Sequence, residues 1–577
     1  MKFAFARWNS LLPGLVVIAI GSVIAFNTAL LVWSTHSSMI HGDGFGFLRV
    51  YADYVDGRMN ALEYFWRQHT EHRHGLARLL FLLDAQLAGG TQVLEKSVTA
   101  ALFILLAALF VTVAASMAWI PLPVRLVVIG LLLIVFGSNR KMEVLFQGFT
   151  NVFATYVFST VLALYLTARS IATREPARAW GLFAAACVLA FASAYSYAPG
   201  LLVGYAMAAQ YAAFRQFRRT AASLAAATAI AFTYLWDFRA GSGDIRVLFQ
   251  EPFSVAQYVF AYIGSPVAGG DLHLAIAAGM VLVTAAVYAS IRYRNFAPAD
   301  RPMVSFLLAL CVITVAAGAA TSLGRLQLGV AFATSSRYVA LAEVMLAAVL
   351  LLGLLRWQPR QDQAPGWIRR PRAGLFALIV AACVPIIFGQ KYWTEAAPGY
   401  RDRWERAAAA VIAKAPDVEA WQGLAAIGPM EFRWIDYLAE HRLSVFHSDA
   451  DLHLYRSIRN DWKKPLSELR PTNGAWCKGS VDPGTGVPGQ VPQWFLLGGY
   501  AFDAEEHVAV DGVLFTEPDG RLIGIARPIS ERPDIEAIAG LKHHGLKLHY
   551  IGYAQVDAGP VQAYAFRAKR PTLCKIG

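Results

Sequence analysis

The chain of 577 residues is 56% hydrophobic and only 16% charged, where soluble domains carry about 25% charged residues, and its mean hydropathy is +0.44. That balance excludes an ordinary soluble enzyme and predicts a polytopic helical membrane protein. A formal net charge of +12 would suit a nucleic-acid partner, but the basic residues lie mostly in short hinges between apolar runs, the membrane-protein pattern, so no nucleic acid is expected.

Because about 20 apolar residues cross the hydrocarbon, spans are predicted at 12–34, 97–120, 124–138, 153–168, 180–197, 201–214, 222–236, 272–290, 304–321, 338–355 and 375–390. This makes about eleven crossings. Alternate hinges hold Arg125; Arg169, Arg174 and Arg178; Arg215, Arg218 and Arg219; Arg292, Arg294 and Arg301; and Arg356 with Arg360. The positive-inside rule makes their side the cytoplasm. An odd number of spans then leaves the amino terminus inside and puts the loop 35–94 and everything after 391 outside. The basic, apolar start lacks a small-residue cleavage site and reads as a retained helix, not a signal peptide.

The first loop opens with His41-Gly42-Asp43-Gly44-Phe45-Gly46 and later carries Gln68-His69-Thr70-Glu71-His72-Arg73-His74. Most connections run to about 4–6 residues, so a loop this long is where chemistry is expected. Asp43 is the first candidate for a catalytic base. Its flanking glycines let the backbone turn and a ligand approach, and a carboxylate partly desolvated at the rim of an apolar cavity is a stronger base toward a hydroxyl. The plainer alternative is an N-cap for a helix beginning near Phe45.

Glu71 is the second candidate. With His69 and His72 it would orient an acceptor sugar, while Arg73 or Arg78 meets a phosphate; a solvated helix of local ion pairs is the competing reading. The histidine spacing fits no zinc pattern and His-Glu-x-x-His is absent. No metal is therefore assigned, and a divalent cation has no ligand motif behind it.

Farther on, the outer loop 139–151 sets Arg140, Lys141, Glu143 and Gln147 on the side where topology predicts little positive charge. The positive charges Arg140 and Lys141 either contact lipid headgroups or line a site that receives phosphate, with Gln147 toward the sugar. Tyr195 and Tyr197 in the next turn read as an interfacial belt. The outer loop 237–271 holds an apolar stretch near 258–263, too short to cross and read as a helix on or dipping into the membrane. A fourth outer loop brings Arg325, Arg337 and Tyr338.

Beyond 391 the composition changes to that of a soluble α+β domain, 392–577. Helices are predicted at 400–415 and 430–443. Period-two runs at 494–502, 507–516, 521–526, 546–555 and 561–567 predict a small β-sheet or sandwich. Cys477 and Cys574 are the two cysteines of this region, an even number in an oxidising compartment; a disulfide between them would stabilise by roughly 4 kcal/mol. Trp476, Trp494 and Tyr500 are candidates to stack on sugars, although aromatic residues in a β-domain more often form its core.

No Gly-x-x-x-x-Gly-Lys-Ser/Thr loop, Gly-x-Ser-x-Gly elbow or Cys-x-x-Cys pair occurs, so the energy for a reaction must arrive with the substrate. A flippase or transporter of a lipid-linked glycan would show internal repetition between its halves, and none is visible. Another transferase acting on envelope glycans would share the predicted topology.

The long first outer loop with an acid just past the first helix, about eleven spans and an outer carboxy-terminal domain together resemble the GT-C class of membrane glycosyltransferases. The phrases Phe65-Trp66-x-x-His69-x-Glu71-His72-Arg73, Arg78-Leu79-Leu80-Phe81-Leu82-Leu83-Asp84, Phe146-Gln147-Gly148-Phe149 and Ser336-Arg337-Tyr338 look like segments of bacterial members. The tail is similar to accessory β-domains of arabinosyltransferase-like and pilin-glycosylating members.

The resemblance implies a transmembrane domain 1–391 with its large periplasmic loop 35–94, a periplasmic domain 392–577, and the bacterial inner membrane as location. It also implies a sugar donor on polyprenyl phosphate, a glycan or protein acceptor, and Asp43 as base. A single Asp stands here between glycines where several relatives have adjacent acids, which keeps Glu71 as the alternative. Cations at the departing phosphate would be Arg325 and Arg337 with Tyr338, joined by Arg73, Arg140 or Lys141. One carboxylate suffices for direct displacement, so inversion at the anomeric carbon is expected.

Overall fold

The apolar runs become helices in the order α1 (Lys2–Ser34), α2 (Gly44–Val55), α3 (Ala61–Trp66), α4 (Gly75–Ala88), α5 (Val93–Ser116), α6 (Leu122–Gly137), α7 (Met142–Phe146), α8 (Asn151–Ala172), α9 (Pro176–Ala194), α10 (Val203–Ala213), α11 (Phe217–Leu235), α12 (Val247–Gln250), α13 (Pro252–Ala268), α14 (Leu272–Ile291), α15 (Arg301–Arg325), α16 (Ser336–Leu355) and α17 (Gly366–Ala413). The structure, a computed structural model, describes residues 2–239, 245–356, 366–424, 432–458, 464–472, 474–487, 493–541, 545–556 and 560–576. Arg360 and Met430, used in the sequence reading, lie outside these residues. Two compact units result: Met1–Ser34, Val50–Leu80 and Glu95–Ala397 form the first, and Thr35–Arg49, Phe81–Leu94 and Pro398–Gly577 the second.

Among the described residues, eight helices of the first unit are long and apolar enough to cross a membrane: α1, α5, α6 continued by α7, α8, α9, α14, α15 and α16. The chain is a membrane protein on that ground. The other three expected spans differ for identifiable reasons. α10 has only 11 residues, because Pro199 and Gly200 wind Ala198–Leu202 into a 3-10 turn that consumes the start of the run. α11 has 19 residues, but Arg218, Arg219, Thr220 and Thr228 dilute its apolar character. The stretch 375–390 falls within α17.

Small residues decide how closely these helices pack. Gly14 and Gly21 of α1 face α6, where an added Cβ would lie 2.5 Å from Leu126 Cβ and 2.7 Å from Leu133 Cβ. Gly130 and Gly137 of α6 answer from the other side, against Val17 and Ala25. A seven-residue repeat on both helices keeps the small faces in register, so backbone meets backbone as in close-packed membrane helices. Thr28 Oγ1 then donates to the Gly137 carbonyl at 2.7 Å.

α13 and α14 make the second such pair. A Cβ on Gly264 would sit 1.9 Å from the Ala275 carbonyl oxygen, and one on Gly279 1.9 Å from that of Phe260. The stretch expected to lie on the membrane surface is therefore half of an antiparallel helical hairpin, with residues 261–268 buried. Nearly all of α16 is buried, from Tyr338 to Leu355, which makes it the central helix of the unit.

In the second unit the period-two runs form an antiparallel sheet of β1 (Cys477–Val481), β2 (Thr485–Gly486), β3 (Trp494–Asp503), β4 (Val508–Ala509), β5 (Gly512–Thr516), β6 (Leu522–Ser530), β7 (His549–Gln555), β8 (Gln562–Phe566) and β9 (Cys574–Ile576). Its order is β1-β3-β7-β6-β5-β8-β9. A disulfide joins Cys477 of β1 to Cys574 of β9, Cα atoms 5.9 Å apart, so the two ends of the path meet and the sheet is barrel-like. Val513, Phe515, Ile523, Tyr550 and Trp476 fill its interior. Trp494 is buried too, and Tyr500 packs against a second cluster of Phe502, Leu541 and Leu548, so all three sugar-stacking candidates pack on core clusters.

Residues 35–49 and 81–94, expected within the membrane domain, pack with this second unit. Ser444 stitches them in: its Oγ accepts from Ile40 N–H at 3.1 Å and donates to the Ser38 carbonyl at 2.8 Å, while its N–H reaches the Gly89 carbonyl at 2.8 Å. Asp84 caps the chain reversal by accepting from the N–H groups of Gln92 and Leu94, both at 2.8 Å.

Candidate functional site

The segment 67–74 of the first unit is built as a short fastened loop. His69 and His72 exchange backbone hydrogen bonds at 2.7 and 2.9 Å, which forces Thr70 to φ 49°. A β-branched residue there is strained, and such strain concentrates where the rest of the structure over-determines it. Arg73 fixes one end: Nε donates to the Tyr234 carbonyl at 2.6 Å and the other nitrogens to the carbonyls of Trp66 and Trp236. His74 fixes the other, with Nδ1 2.6 Å from the Ser196 carbonyl oxygen.

At the turn tip Glu71 approaches Arg325 of α15 at 3.7 Å. Arg325 also lies near the Tyr338 hydroxyl, and the neighbouring Arg337 holds Glu143 of α7 at 2.5 Å. Ser336 ties the two elements, donating to the Arg140 carbonyl at 2.7 Å and accepting from Glu143 N–H at 3.2 Å. Two arginine–glutamate pairs thus stand at one end of the helices.

Aromatic rings surround them. His72 lies 4.5 Å from Tyr197, which lies 5.4 Å from Tyr156; Tyr262 lies 5.4 Å from Tyr338. The charges of both arginines act on Tyr197 and Tyr258. The hydroxyls of Tyr156 and Tyr258 are buried with no hydrogen-bond partner among the described residues. Each such group costs about 1–3 kcal/mol, the kind of cost that a ligand hydroxyl or phosphate oxygen would offset.

Burial pushes the Tyr197 phenol up, so it stays protonated as a donor. Burial also pushes His72 down to about 4, with Glu71 opposing the shift and Arg325 reinforcing it. His74 is held well below its ordinary value by burial first. Both imidazoles are neutral at neutral pH.

The remaining candidates are distributed as follows. Lys141 donates to both Glu343 oxygens at 2.9 and 3.1 Å and to the carbonyls of Phe136 and Ser138 at 2.8 and 3.2 Å. No proton is left for a phosphate. Arg140 is buried against Ser265 and Gly389, and Arg78 donates to the carbonyls of Tyr64 and Arg67. With Arg73 spent on three carbonyls, Arg325 and Arg337 are the nominated cations that line the tyrosine-walled region. Gln147 is half-buried, and its carbonyl accepts from Thr150 Oγ1 at 2.5 Å. His69 sits beside His74, ring centroids 5.8 Å apart. Among the described residues, no group of three or more His, Cys, Asp or Glu is placed to hold a metal ion.

Asp43 belongs to the second unit. It immediately precedes α2, and its carbonyl accepts from Phe47 N–H at 3.2 Å, the position of an N-cap. Gly42, at φ 57°, donates to the Leu424 carbonyl, and the His41 ring stacks on Trp404 at 4.1 Å.

Sequence reasoning passed over Glu143, Tyr156, Tyr258 and Tyr262 as site residues. The available signal was Tyr258 and Tyr262 at a spacing of four, which puts both rings on one face of a helix. No protein-family model matches the chain, and no curated protein matches it.

Proposed function

We propose that this protein is an inverting membrane glycosyltransferase of GT-C type, moving a sugar from polyprenyl phosphate to an envelope glycan or surface-protein acceptor. It would work at the periplasmic face of a bacterial inner membrane, with a periplasmic carboxy-terminal domain. The observation that carries this reading is the pair of arginine–glutamate contacts, Arg325–Glu71 and Arg337–Glu143, among tyrosines of which Tyr156 and Tyr258 have buried hydroxyls unpaired among the described residues.

In this chemistry an acceptor hydroxyl attacks the anomeric carbon while the bond to the lipid phosphate breaks. The proton passes to a carboxylate, and the departing phosphate needs cations. Glu71 lies 3.7 Å from Arg325, and in this reading its carboxylate takes the proton of the acceptor hydroxyl. Arg325 and Arg337 supply the guanidinium groups, which match phosphate with two donors. Tyr197, Tyr258 and Tyr338 present rings and hydroxyls suited to a sugar. A polyprenyl chain stays in the bilayer because each buried methylene is worth about 0.8 kcal/mol, which suits a site on membrane helices.

Asp43 is the competing carboxylate for the role of base. The test compares Glu71→Gln with Asp43→Asn in a transfer assay using reconstituted protein and radiolabelled polyprenyl-phosphate sugars. The variant lacking the base loses transfer by roughly 100-fold or more while keeping donor binding; full activity in both variants would end the proposal.

A flippase reading is favoured by one observation, the Lys141–Glu343 ion pair inside the helical bundle, since buried ionisable residues often line conduits. Under that reading Glu343→Gln abolishes movement of a fluorescent lipid-linked sugar across liposomes containing no acceptor.

A further inference from the structure

The loop that carries Glu71 has a second face. A cleft of about 630 Å³ is lined there by Arg67, Arg73, Arg239, Glu63 and Asp237. Beside it runs a trough of about 560 Å³ on Leu62 and Phe232, and Trp66 and Trp236 line both hollows. A polar hollow continuous with an apolar one is the shape of an amphiphile.

The frame is fixed by the backbone. Arg73 caps the last turn of α11 through the carbonyls of Tyr234 and Trp236, a favourable place for a cation. The Gln68 side chain accepts from Arg239 N–H at 2.9 Å and donates to the Arg239 carbonyl at 2.7 Å, which holds Arg239 at the rim. Trp66 Nε1 donates to the Thr233 carbonyl at 3.1 Å. Arg67 is 45% exposed, with Asp53 3.5 Å away.

The trough leads to lipid. Phe217, Leu224, Phe232 and Leu235 of α11 are all exposed, and their spacing of 7, 8 and 3 puts them on one side of the helix.

We infer that cleft and trough hold one zwitterionic phospholipid with a primary amine. The phosphate meets Arg67 and Arg239, the ammonium meets Glu63 and Asp237, and an acyl chain follows Phe232 and Trp236 down α11. The mixed lining makes this choice. An anionic glycerol headgroup leaves the two carboxylates facing negative charge, and a choline headgroup offers them no N–H. The inference is independent of glycosyl transfer.

The test equilibrates full-length protein in detergent with equal amounts of phosphatidylethanolamine, phosphatidylglycerol and phosphatidylcholine and counts retained lipids by native mass spectrometry. Phosphatidylethanolamine is retained about five-fold over either competitor, the scale of one exposed ion pair. The double variant Arg67→Gln, Arg239→Gln loses retention, whereas Glu63→Gln, Asp237→Asn keeps lipid but no longer distinguishes ethanolamine from choline. Preference for phosphatidylglycerol, equal retention of all three lipids, or unchanged behaviour of the variants overturns the inference. Retention lost only together with a lowered melting temperature also counts against it.

Discussion

Glutamine in place of Glu343 should be among the most damaging single changes in the membrane bundle. Lys141 and Glu343 are each 1% exposed with the ammonium 2.9 Å from the nearer oxygen. At about 3 Å and an effective dielectric constant of about 20, their attraction is on the order of 5 kcal/mol. Removing one partner leaves the other charge buried, at a cost of about 3–5 kcal/mol. Lys141→Met should do the same from the other side. Replacing both at once, Lys141→Met with Glu343→Leu, should cost much less than the two singles added, because no isolated charge remains. Unfolding in increasing dodecyl sulfate, followed by tryptophan fluorescence, gives all four corners of the cycle. Single variants within about 0.5 kcal/mol of wild type, or strictly additive effects, would refute the idea that these charges neutralise each other away from water.

Three other outcomes are expected. His72 titrates near 4 in the fold against 6.5 ordinarily, so between those values the unfolded chain binds the extra proton and stability falls as pH drops; above about 6.5 its contribution is constant. Melting temperatures measured from about pH 7.5 to about pH 4.5 should therefore decline on the acid side, and His72→Gln should flatten part of that decline while His74 keeps the rest. Gly279→Ala drives a Cβ to 1.9 Å from the Phe260 carbonyl oxygen and should destabilise by about 2–3 kcal/mol, whereas Gly181→Ala, with nothing within 4 Å, should be near neutral or mildly favourable in thermal unfolding. Cys477→Ser should lower the stability of the β-domain by about 2–5 kcal/mol, read as faster proteolysis after residue 470, and a reductant should reproduce it in wild type but not in the variant.

Apolar length made most of the membrane helices legible in the sequence, and alternation made β3, β5, β6, β7 and β8 legible. What stayed hidden depended on partners far away in the chain. β1 and β9 are short and weakly patterned, and they exist as edges joined by Cys477 and Cys574. The assignment of residues 35–49 to the second unit depends on Ser444, some four hundred positions on. Lys141 looked like a cation available to phosphate because its partner, Glu343, lies some two hundred positions on. A lone Glu343 in an otherwise apolar run was the overlooked sign that a buried cation must exist. Arg325 and Arg337 could be picked out by their unexpected side of the topology, but their acidic partners could not, since Glu71 and Glu143 reach them only through the fold.

The most direct measurement is release of polyprenyl phosphate from a polyprenyl-phosphate sugar by the protein in lipid nanodiscs supplied with an envelope-glycan fragment as acceptor alcohol, with the anomeric configuration of the product read by NMR. Wild type should release the lipid phosphate and form the inverted glycoside, and Arg325→Gln with Arg337→Gln should slow release by roughly 100-fold or more without loss of fold. Release that is unchanged in the arginine variants, or a product with retained configuration, would contradict direct displacement at this site.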